Sequence, residues 1–153
     1  MTLSDLIQQT RFESPAQEAL LNIHATSSWF TAELGAALGD SGITPAQYNV
    51  LRILRGRHPD PYTCTEIGER LLDRTPDVTR LLVRLESAGL VHRERAEHDR
   101  RVVEVTITEA GLETLAGLDE PVRASMHQAG QHLSDDELST LSSLLERLRT
   151  DQT

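Results

Sequence analysis

Hydrophobic residues recur at helical spacing through most of the chain, and most of these runs follow a typical helix start. Ser14-Pro15 and Thr44-Pro45 each place a capping hydroxyl before a proline, with a glutamine three residues after the cap; this is a common form of helix N-terminus. Similar caps precede the other runs, at Thr63, Thr75, Thr108 and Ser134. The pattern predicts six helices, and the first 13 residues before them are expected to be loosely held.

Two of the predicted helices contain residues that bear on how far each helix extends. The third run places Ile67, Leu71 and Leu72 together, so all three are expected on one short helix. Pro121 lies inside the fifth run, and proline removes a backbone hydrogen bond from a helix interior. A kink or break is therefore expected at Pro121.

Between the fourth and fifth helices the hydrophobic spacing changes from helical to alternating. Val103, Val105 and Ile107 occupy every second position, and residues 90–96 form a matching run. Such alternation predicts half-buried strands, and residues 97–100 supply a polar tip between them. A β-hairpin formed by residues 90–96 and 102–107 is therefore predicted.

Residues 44–108 thus combine a helix-turn-helix with a hairpin, which is the order of a winged-helix domain for double-stranded DNA. The fourth helix would turn its apolar face inward and leave Thr79, Arg80, Val83 and Arg84 outward. A major groove admits one such helix, and side chains distinguish bases there. Arg80 is suited to guanine, Thr79 and Val83 to a thymine methyl, and Arg84 to phosphate.

Two further groups are candidates for contact with the DNA backbone and the minor groove. Thr75 caps the fourth helix and Pro76 takes its first position in this interpretation, so the free amides there are expected to grip a phosphate. At the hairpin tip, Arg100 and Arg101 are suited to the minor groove. Asp99 is expected to restrain one of them through a salt bridge. The alternatives are a solvated helix face and an ordinary charged turn.

The charge distribution supports one positive face on an acidic protein. The net charge is −9, every one of the 15 cations is arginine, and eleven of them lie between residues 50 and 105. These eleven are Arg52, Arg55, Arg57, Arg70, Arg74, Arg80, Arg84, Arg93, Arg95, Arg100 and Arg101. The same window holds ten acids, whereas the rest of the chain has four arginines against fourteen acids. Such asymmetry favours oriented binding to a polyanion.

Composition argues against several other classes of protein. The absence of lysine excludes Schiff-base and P-loop chemistry, and the single cysteine, Cys64, excludes an intrachain disulfide. His127 and His132 are five residues apart and share no helix face, so no metal site is expected. No apolar run approaches the roughly 20 residues of a membrane helix. We therefore expect a soluble, cytoplasmic binding protein without cofactor or catalytic activity.

The chain resembles the MarR family of bacterial transcriptional regulators over residues 14–150. The resemblance rests on runs in the helix-turn-helix and in the hairpin. They are Ile43-Thr44-Pro45-Ala46-Gln47-Tyr48, Thr65-Glu66-Ile67-Gly68, Val78-Thr79-Arg80-Leu81-Leu82, Leu85-Glu86, Gly89-Leu90-Val91, Arg93, Asp99-Arg100-Arg101 and Thr106-Ile107-Thr108-Glu109-Ala110-Gly111.

Membership of that family implies a mainly α fold with a small β-hairpin wing. It implies one domain over residues 1–153, in which 44–108 form the winged helix-turn-helix lobe and 14–39 and 112–150 form dimerisation helices. A homodimer would bind a pseudo-palindromic operator and act as a repressor. The seam of Leu138, Leu141, Leu145 and Leu148 independently suggests a partner helix.

The family also implies release by a small, often aromatic ligand or by cysteine oxidation. Ligands in the family lie between the dimer helices and the DNA lobe, which here suggests His24, Trp29, Phe30 and Tyr48. The two adjacent aromatics are equally compatible with core packing. Cys64 begins a helix, where the dipole lowers a thiol pKa, but peroxide sensors of the family carry their cysteine near the chain start.

A different class of function remains open from the sequence alone. A winged helix can instead bind protein, as an adaptor or antitoxin-like module without specific DNA binding. Salt-dependent binding to duplex DNA would separate the two, because phosphate contacts release counterions.

Overall fold

The computed structural model describes residues 2–72, 77–96 and 99–150. These residues form seven α-helices and three strands. In chain order they are α1 (Leu3–Ile7), α2 (Pro15–Leu38), α3 (Pro45–Arg55), β1 (Tyr62–Thr63), α4 (Cys64–Arg70), α5 (Val78–Ser87), β2 (Val91–Arg95), β3 (Val103–Ile107), α6 (Glu109–Gly130) and α7 (Asp135–Leu148), with a 3₁₀ turn at Gly39–Ser41. The predicted mainly α fold with a hairpin wing is confirmed.

Five of the six predicted helix starts are confirmed by their capping hydrogen bonds. Ser14, Thr44, Thr63, Thr108 and Ser134 each accept a hydrogen bond from the backbone N–H three residues on. The predicted start of the fourth helix is wrong. α5 begins at Val78 and its cap is Asp77, whose carboxylate accepts the Arg80 N–H at 3.1 Å. Threonine and aspartate are both good caps, so the sequence offers two starts, and Thr75 and Pro76 lie outside the described residues.

The hairpin is the larger part of a three-stranded antiparallel sheet in the order β1-β3-β2. Val91 pairs with Ile107 and Arg95 with Val103, so the predicted hairpin is confirmed, and Val105 and Ile107 of the alternating run are buried. The sequence did not predict β1, where Tyr62 pairs with Val105. Two residues are too few to show alternation.

A single hydrophobic core joins the helix-turn-helix, the sheet and α6. Its largest fully buried side chains are Val50, Leu51, Leu54, Ile67, Leu82, Leu85, Val105 and Leu115. Each such side chain contributes about 1.5–3 kcal/mol by leaving water. The core therefore holds one face of α5 against the rest of the helix-turn-helix and the sheet, and the opposite face of α5 stays outside the core.

Two expectations about the extent of single segments are corrected. The N-terminal segment is not loose throughout, because Thr2 and Asp5 form a capping box around α1 and Leu3 is buried. α4 ends at Arg70, so Leu71 and Leu72 lie beyond it; Leu71 is extended and buried, and Leu72 is 94% exposed. Because the backbone is extended at Leu71 and bends at Leu72, the helical spacing that would place both side chains on the face of Ile67 no longer applies.

Pro121 does not break α6, which continues from Glu109 to Gly130. Leu118 and Val122, on either side of the proline, are both buried. Their packing offsets the missing hydrogen bond, because helix stability in proteins comes mainly from tertiary contacts. In the described ranges, no helix has the length and apolar character required to cross a membrane.

Candidate nucleic-acid interface

The face of α5 that points away from the core carries polar and charged groups. Leu82 and Leu85 are fully buried beneath the helix. On the opposite side Thr79, Arg80, Val83 and Arg84 are all exposed. The predicted orientation of this face is confirmed, and it leaves two guanidinium groups, a methyl-bearing hydroxyl and an isopropyl group free to meet a groove.

The start of α5 differs from the expected phosphate grip. Asp77 accepts the Arg80 backbone N–H through its side chain, and its carbonyl accepts the Leu81 N–H. One of the N–H groups that were expected to bind a phosphate is therefore already hydrogen-bonded. The Asp77 carboxylate occupies the position expected for the phosphate. The phosphate role of Thr75 and Pro76, outside the described residues, stays a prediction.

The tip of the hairpin is organised by the backbone contacts of Asp99. Its Oδ1 accepts the Arg101 N–H at 2.9 Å, and its carbonyl accepts the Val102 N–H at 2.9 Å. The predicted salt bridge is wrong in the part of the chain that is described, where Asp99 forms no ion pair with an arginine side chain. Short polar side chains compete readily for nearby N–H groups, so Asp99 shapes the turn and leaves Arg100 and Arg101 exposed.

A third arginine lies at the same end of the hairpin. Arg95, the last residue of β2, donates from Nη1 to the Arg100 carbonyl at 3.3 Å. Arg95 belongs to the basic window of residues 50–105, and no role was predicted for it. Its place beside the polar tip was the available signal, and it brings three guanidinium groups, with Arg100 and Arg101, to the wing tip.

A charged cluster fixes α4, the first helix of the helix-turn-helix, against β1. The guanidinium carbons of Arg57 and Arg70 lie 4.6 and 4.8 Å from the centre of the Tyr62 ring, within cation–π range. Glu66 accepts from Arg57 Nη1 at 2.9 Å and from the Thr63 N–H at 2.8 Å.

These contacts change the acidity of Glu66. The Thr63 backbone N–H, followed by Arg57 and the Thr63 hydroxyl, lowers the pKa of Glu66 to about 2. The same ion pair raises the pKa of Arg57. Glu66 therefore stays ionised at the start of α4 well into the acid range.

The proposed ligand residues differ in their surroundings. Tyr48 is buried in the lobe core, with the Arg52 guanidinium 6.0 Å from its ring centre. His24 and Trp29 are exposed on α2, and Phe30 is half-buried. An open groove of about 380 Å³ runs instead along α7, and it is lined by Leu133, Asp136, Glu137, Thr140, Leu141 and Leu144.

Cys64 is the first residue of α4, as predicted, and its thiol is half-buried against the core. A thiol packed against apolar side chains is less accessible to oxidants than an exposed one. The structure therefore adds no support for a redox role.

Comparison with known proteins gives one consistent answer. The sequence model of the MarR family matches residues 41–102. The organic hydroperoxide resistance transcriptional regulator of Bacillus subtilis (strain 168) is 31% identical over 129 residues, 82% of this chain and 86% of the relative. A MarR transcription factor from Planctomyces limnophilus is 41% identical and superposes with a TM-score of 0.69, covering 89% of this chain and 98% of that one.

A DNA complex is also among the similar structures. A mutant MarR from E. coli complexed with operator DNA is 30% identical, with a TM-score of 0.74, over 82% of this chain and 89% of that one. The similarity therefore extends well beyond the lobe that contains the candidate interface.

Proposed function

The chain belongs to the MarR family of transcriptional regulators, and from that membership we propose that it represses transcription as a homodimer on a pseudo-palindromic operator. The observation that carries the proposal is the exposed face of α5, which lies on the same core as an arginine-tipped hairpin. A helix face serves the major groove and the hairpin tip the adjacent minor groove.

Arg80 is the residue proposed to give sequence specificity. A guanidinium can donate two hydrogen bonds to guanine O6 and N7, and Arg80 is exposed while its backbone N–H is held by Asp77. Thr79 and Val83 carry methyl groups suited to thymine, and Arg84 lies one turn farther along, suited to phosphate. The wing arginines 95, 100 and 101 are proposed to approach the minor groove.

The proposed dimer is supported by apolar surface that one chain leaves uncovered. In the described chain α7 contains no buried residue, although it is a well-capped amphipathic helix. Most of the exposed apolar side chains lie on the terminal helices or between α6 and α7, at Leu6, Leu20, Trp29, Met126, Leu133, Leu138, Leu141, Leu144 and Leu148. An apolar patch formed by such side chains would mark an interface, and a second copy would cover it with the same patch.

The dimer is tested by placing a charge in this patch. Leu141→Glu should give monomers or aggregates in light scattering, because a carboxylate would be buried without a partner. Ser143→Glu, an exposed position of the same helix without an apolar side chain, is the matched control. A stable dimer in both variants would move the interface elsewhere.

The DNA function is tested by selecting bound sequences from random duplexes. Two recognition helices related by a two-fold axis should select half-sites about one helical turn apart. Arg80→Ala should cost roughly 1–3 kcal/mol of binding free energy and relax the preference at one base pair in each half-site. Equal weakening of all sequences would make Arg80 a phosphate contact, and no enrichment at all would remove the proposed function.

Release by a small apolar or aromatic ligand is the second part of the proposal. Trp29 is 47% exposed on α2 and is one of the apolar side chains assigned to the dimer surface, so a ligand there would meet both the aromatic ring and the partner copy. Phe30, His24 and Tyr48 complete the proposed set. Such a ligand would act by favouring a dimer whose recognition helices are wrongly spaced for the operator.

A further inference from the structure

Glu86 of α5 and Arg93 of β2 join the proposed reading helix to the wing. Arg93 Nη1 lies 3.4 Å from Glu86 Oε2. Within residues 77–96 and 99–107 this is the one ion pair that links α5 to the hairpin. Neither residue belongs to the groups assigned to base contacts or to the wing tip.

Arg93 is a poor choice if stability alone is considered. Its side chain is only 19% exposed, whereas that of Glu86 is 42% exposed. Its Nε is buried and has no hydrogen-bond partner among the described residues. A buried donor without a partner costs free energy, and an apolar residue of similar volume often serves as well as a buried ion pair. The arginine at this position therefore calls for a reason other than burial.

The position of Glu86 on α5 suggests that reason. With 3.6 residues per turn, Thr79, Val83 and Glu86 fall within about 60° of one another. Glu86 thus borders the exposed face, on the side from which the Arg93 side chain arrives. A tether at this point sets the rotation of the helix about its own axis.

Small rotations matter for base recognition. Side-chain ends lie about 5–6 Å from a helix axis, so turning α5 by about 10° would move them by about 1 Å. A displacement of that size takes a hydrogen bond out of its normal distance range. The reading face and the wing tip can engage adjacent grooves together only if their relative orientation is fixed.

We propose that Arg93 is a positioning residue that holds the rotation of α5 relative to the wing through Glu86. The inference rests on the proposed DNA contacts of both elements. Arg93 itself contacts no DNA, since its guanidinium lies between the helix and the sheet. Its effect is on whether one protomer can use both grooves of the same duplex.

The test compares Glu86→Gln, Arg93→Met and the double variant, each in the full-length protein on the selected operator. Each single change should lower affinity about tenfold, a loss of about 1.4 kcal/mol. The double variant should lose no more, because both changes remove the same interaction. The exposed pair His92 and Glu94, which lies within β2, gives matched controls, His92→Gln and Glu94→Gln, which should bind as wild type.

A second readout separates positioning from mere stability. In the wild-type background, Arg100→Ala with Arg101→Ala should weaken binding and reduce its salt dependence. In the Arg93→Met background the same two changes should have little further effect, since the wing is already displaced. The unfolding temperature of Arg93→Met should be unchanged or raised, because its buried charge is removed.

Several outcomes would overturn the inference. Wild-type affinity in both folded variants would remove it, as would a wing effect that stays fully additive with Arg93→Met. If Arg93→Met does not fold, Glu86→Gln decides, because it keeps the side-chain shape. Arg80→Ala in the same series distinguishes the failures: if that change also leaves binding intact, the proposed interface is at fault.

Discussion

Arg55, at the end of α3, places its Nη1 3.0 Å from both carboxylate oxygens of Asp119 on α6. This ion pair links the helix-turn-helix lobe to a helix assigned to the dimer, across 64 residues of sequence. Both side chains are partly exposed, at 36% and 40%, so solvent screens their attraction. The pair therefore contributes modestly to holding the helix-turn-helix lobe in position against α6.

The contribution of this tie can be measured in a double-mutant cycle. Arg55→Met and Asp119→Asn should each destabilise the protein by about 0.5–1 kcal/mol, with a coupling energy of similar size, because partly exposed pairs contribute little. Chemical denaturation supplies the free energies of unfolding. The i,i+3 pair Glu120 and Arg123 is the control, and a coupling no larger than that of the control would leave Arg55 and Asp119 independent.

Replacing the wing arginines Arg95, Arg100 and Arg101 should reduce the salt dependence of DNA binding. Each phosphate contact that is lost should reduce the slope of log affinity against log salt by about 0.9. Arg95→Ala should weaken binding like Arg100→Ala and Arg101→Ala, because its guanidinium lies at the same tip. Fluorescence anisotropy at several salt concentrations gives the slopes, and an unchanged slope in the triple variant would leave the wing as a structural hairpin.

Two glycines of α6 should respond in opposite directions to alanine. A Cβ on Gly111 would lie 2.6 Å from Ile107 Cγ1 and would also clash with the Leu90 carbonyl, so Gly111→Ala should destabilise by about 1–3 kcal/mol through overpacking. Apart from the adjoining residues and backbone of its own helix, no described atom lies within 4 Å of a Cβ on Gly117, so Gly117→Ala should stabilise by roughly 0.5–1 kcal/mol. Thermal unfolding of both variants checks the pair, and equal shifts would contradict the tight contact at Gly111.

Glu66 should make stability depend on pH in the acid range. Its pKa is lowered from 4.5 to about 2 by the Thr63 N–H and Arg57. The folded state therefore protonates Glu66 at a lower pH than the unfolded state does. The stabilisation is therefore fully present above pH 4.5 and is lost as the pH falls toward 2. Unfolding temperatures between pH 5 and about 2.5 should fall less steeply for Glu66→Gln than for wild type; parallel curves would contradict the assignment.

A ligand at the proposed site should change the emission of Trp29, the only tryptophan in the chain. A ligand shifts the dimer only by its differential affinity for the two spacings of the recognition helices. Titration with salicylate and other phenols should therefore change emission and release DNA over the same concentration range. Release without an emission change would place the ligand elsewhere.

The same titration separates a ligand from an oxidant. Peroxide should leave DNA binding unchanged, because Cys64 is half-buried against the core. DNA release by peroxide that disappears in Cys64→Ser would instead establish a redox switch.

Most of the fold could be predicted from local patterns in the sequence. Five helix starts could be predicted because a cap and its partner lie three residues apart. The hairpin could be predicted because one of its faces is buried, which imposes alternation on Val103, Val105 and Ile107. β1 could not, since two residues have no period, and α5 was misplaced because Thr75 and Asp77 are both good caps.

The candidate site was predictable where it depends on helix geometry and obscure where it depends on tertiary contacts. The outward face with Arg80 and Arg84 follows from the spacing of buried leucines. The partner of Arg93 is set by how α5 packs on β2, which no spacing in the sequence encodes. Asp99 could equally have paired with a side chain or with the backbone, because both choices lie within two residues of it.

The exposure of α7 has a consequence for how the regulator would respond to its own abundance. A 14-residue helix without a buried residue is stabilised little by tertiary contacts within one chain. On its own it would be only marginally stable in water, because isolated helices shorter than about 12–15 residues are marginal. In the proposed dimer, folding of this helix and association of two chains become one equilibrium. A dilute protein would then lose the helix together with the paired lobes, so occupancy of the operator would rise more steeply than in proportion to the amount of protein in the cell.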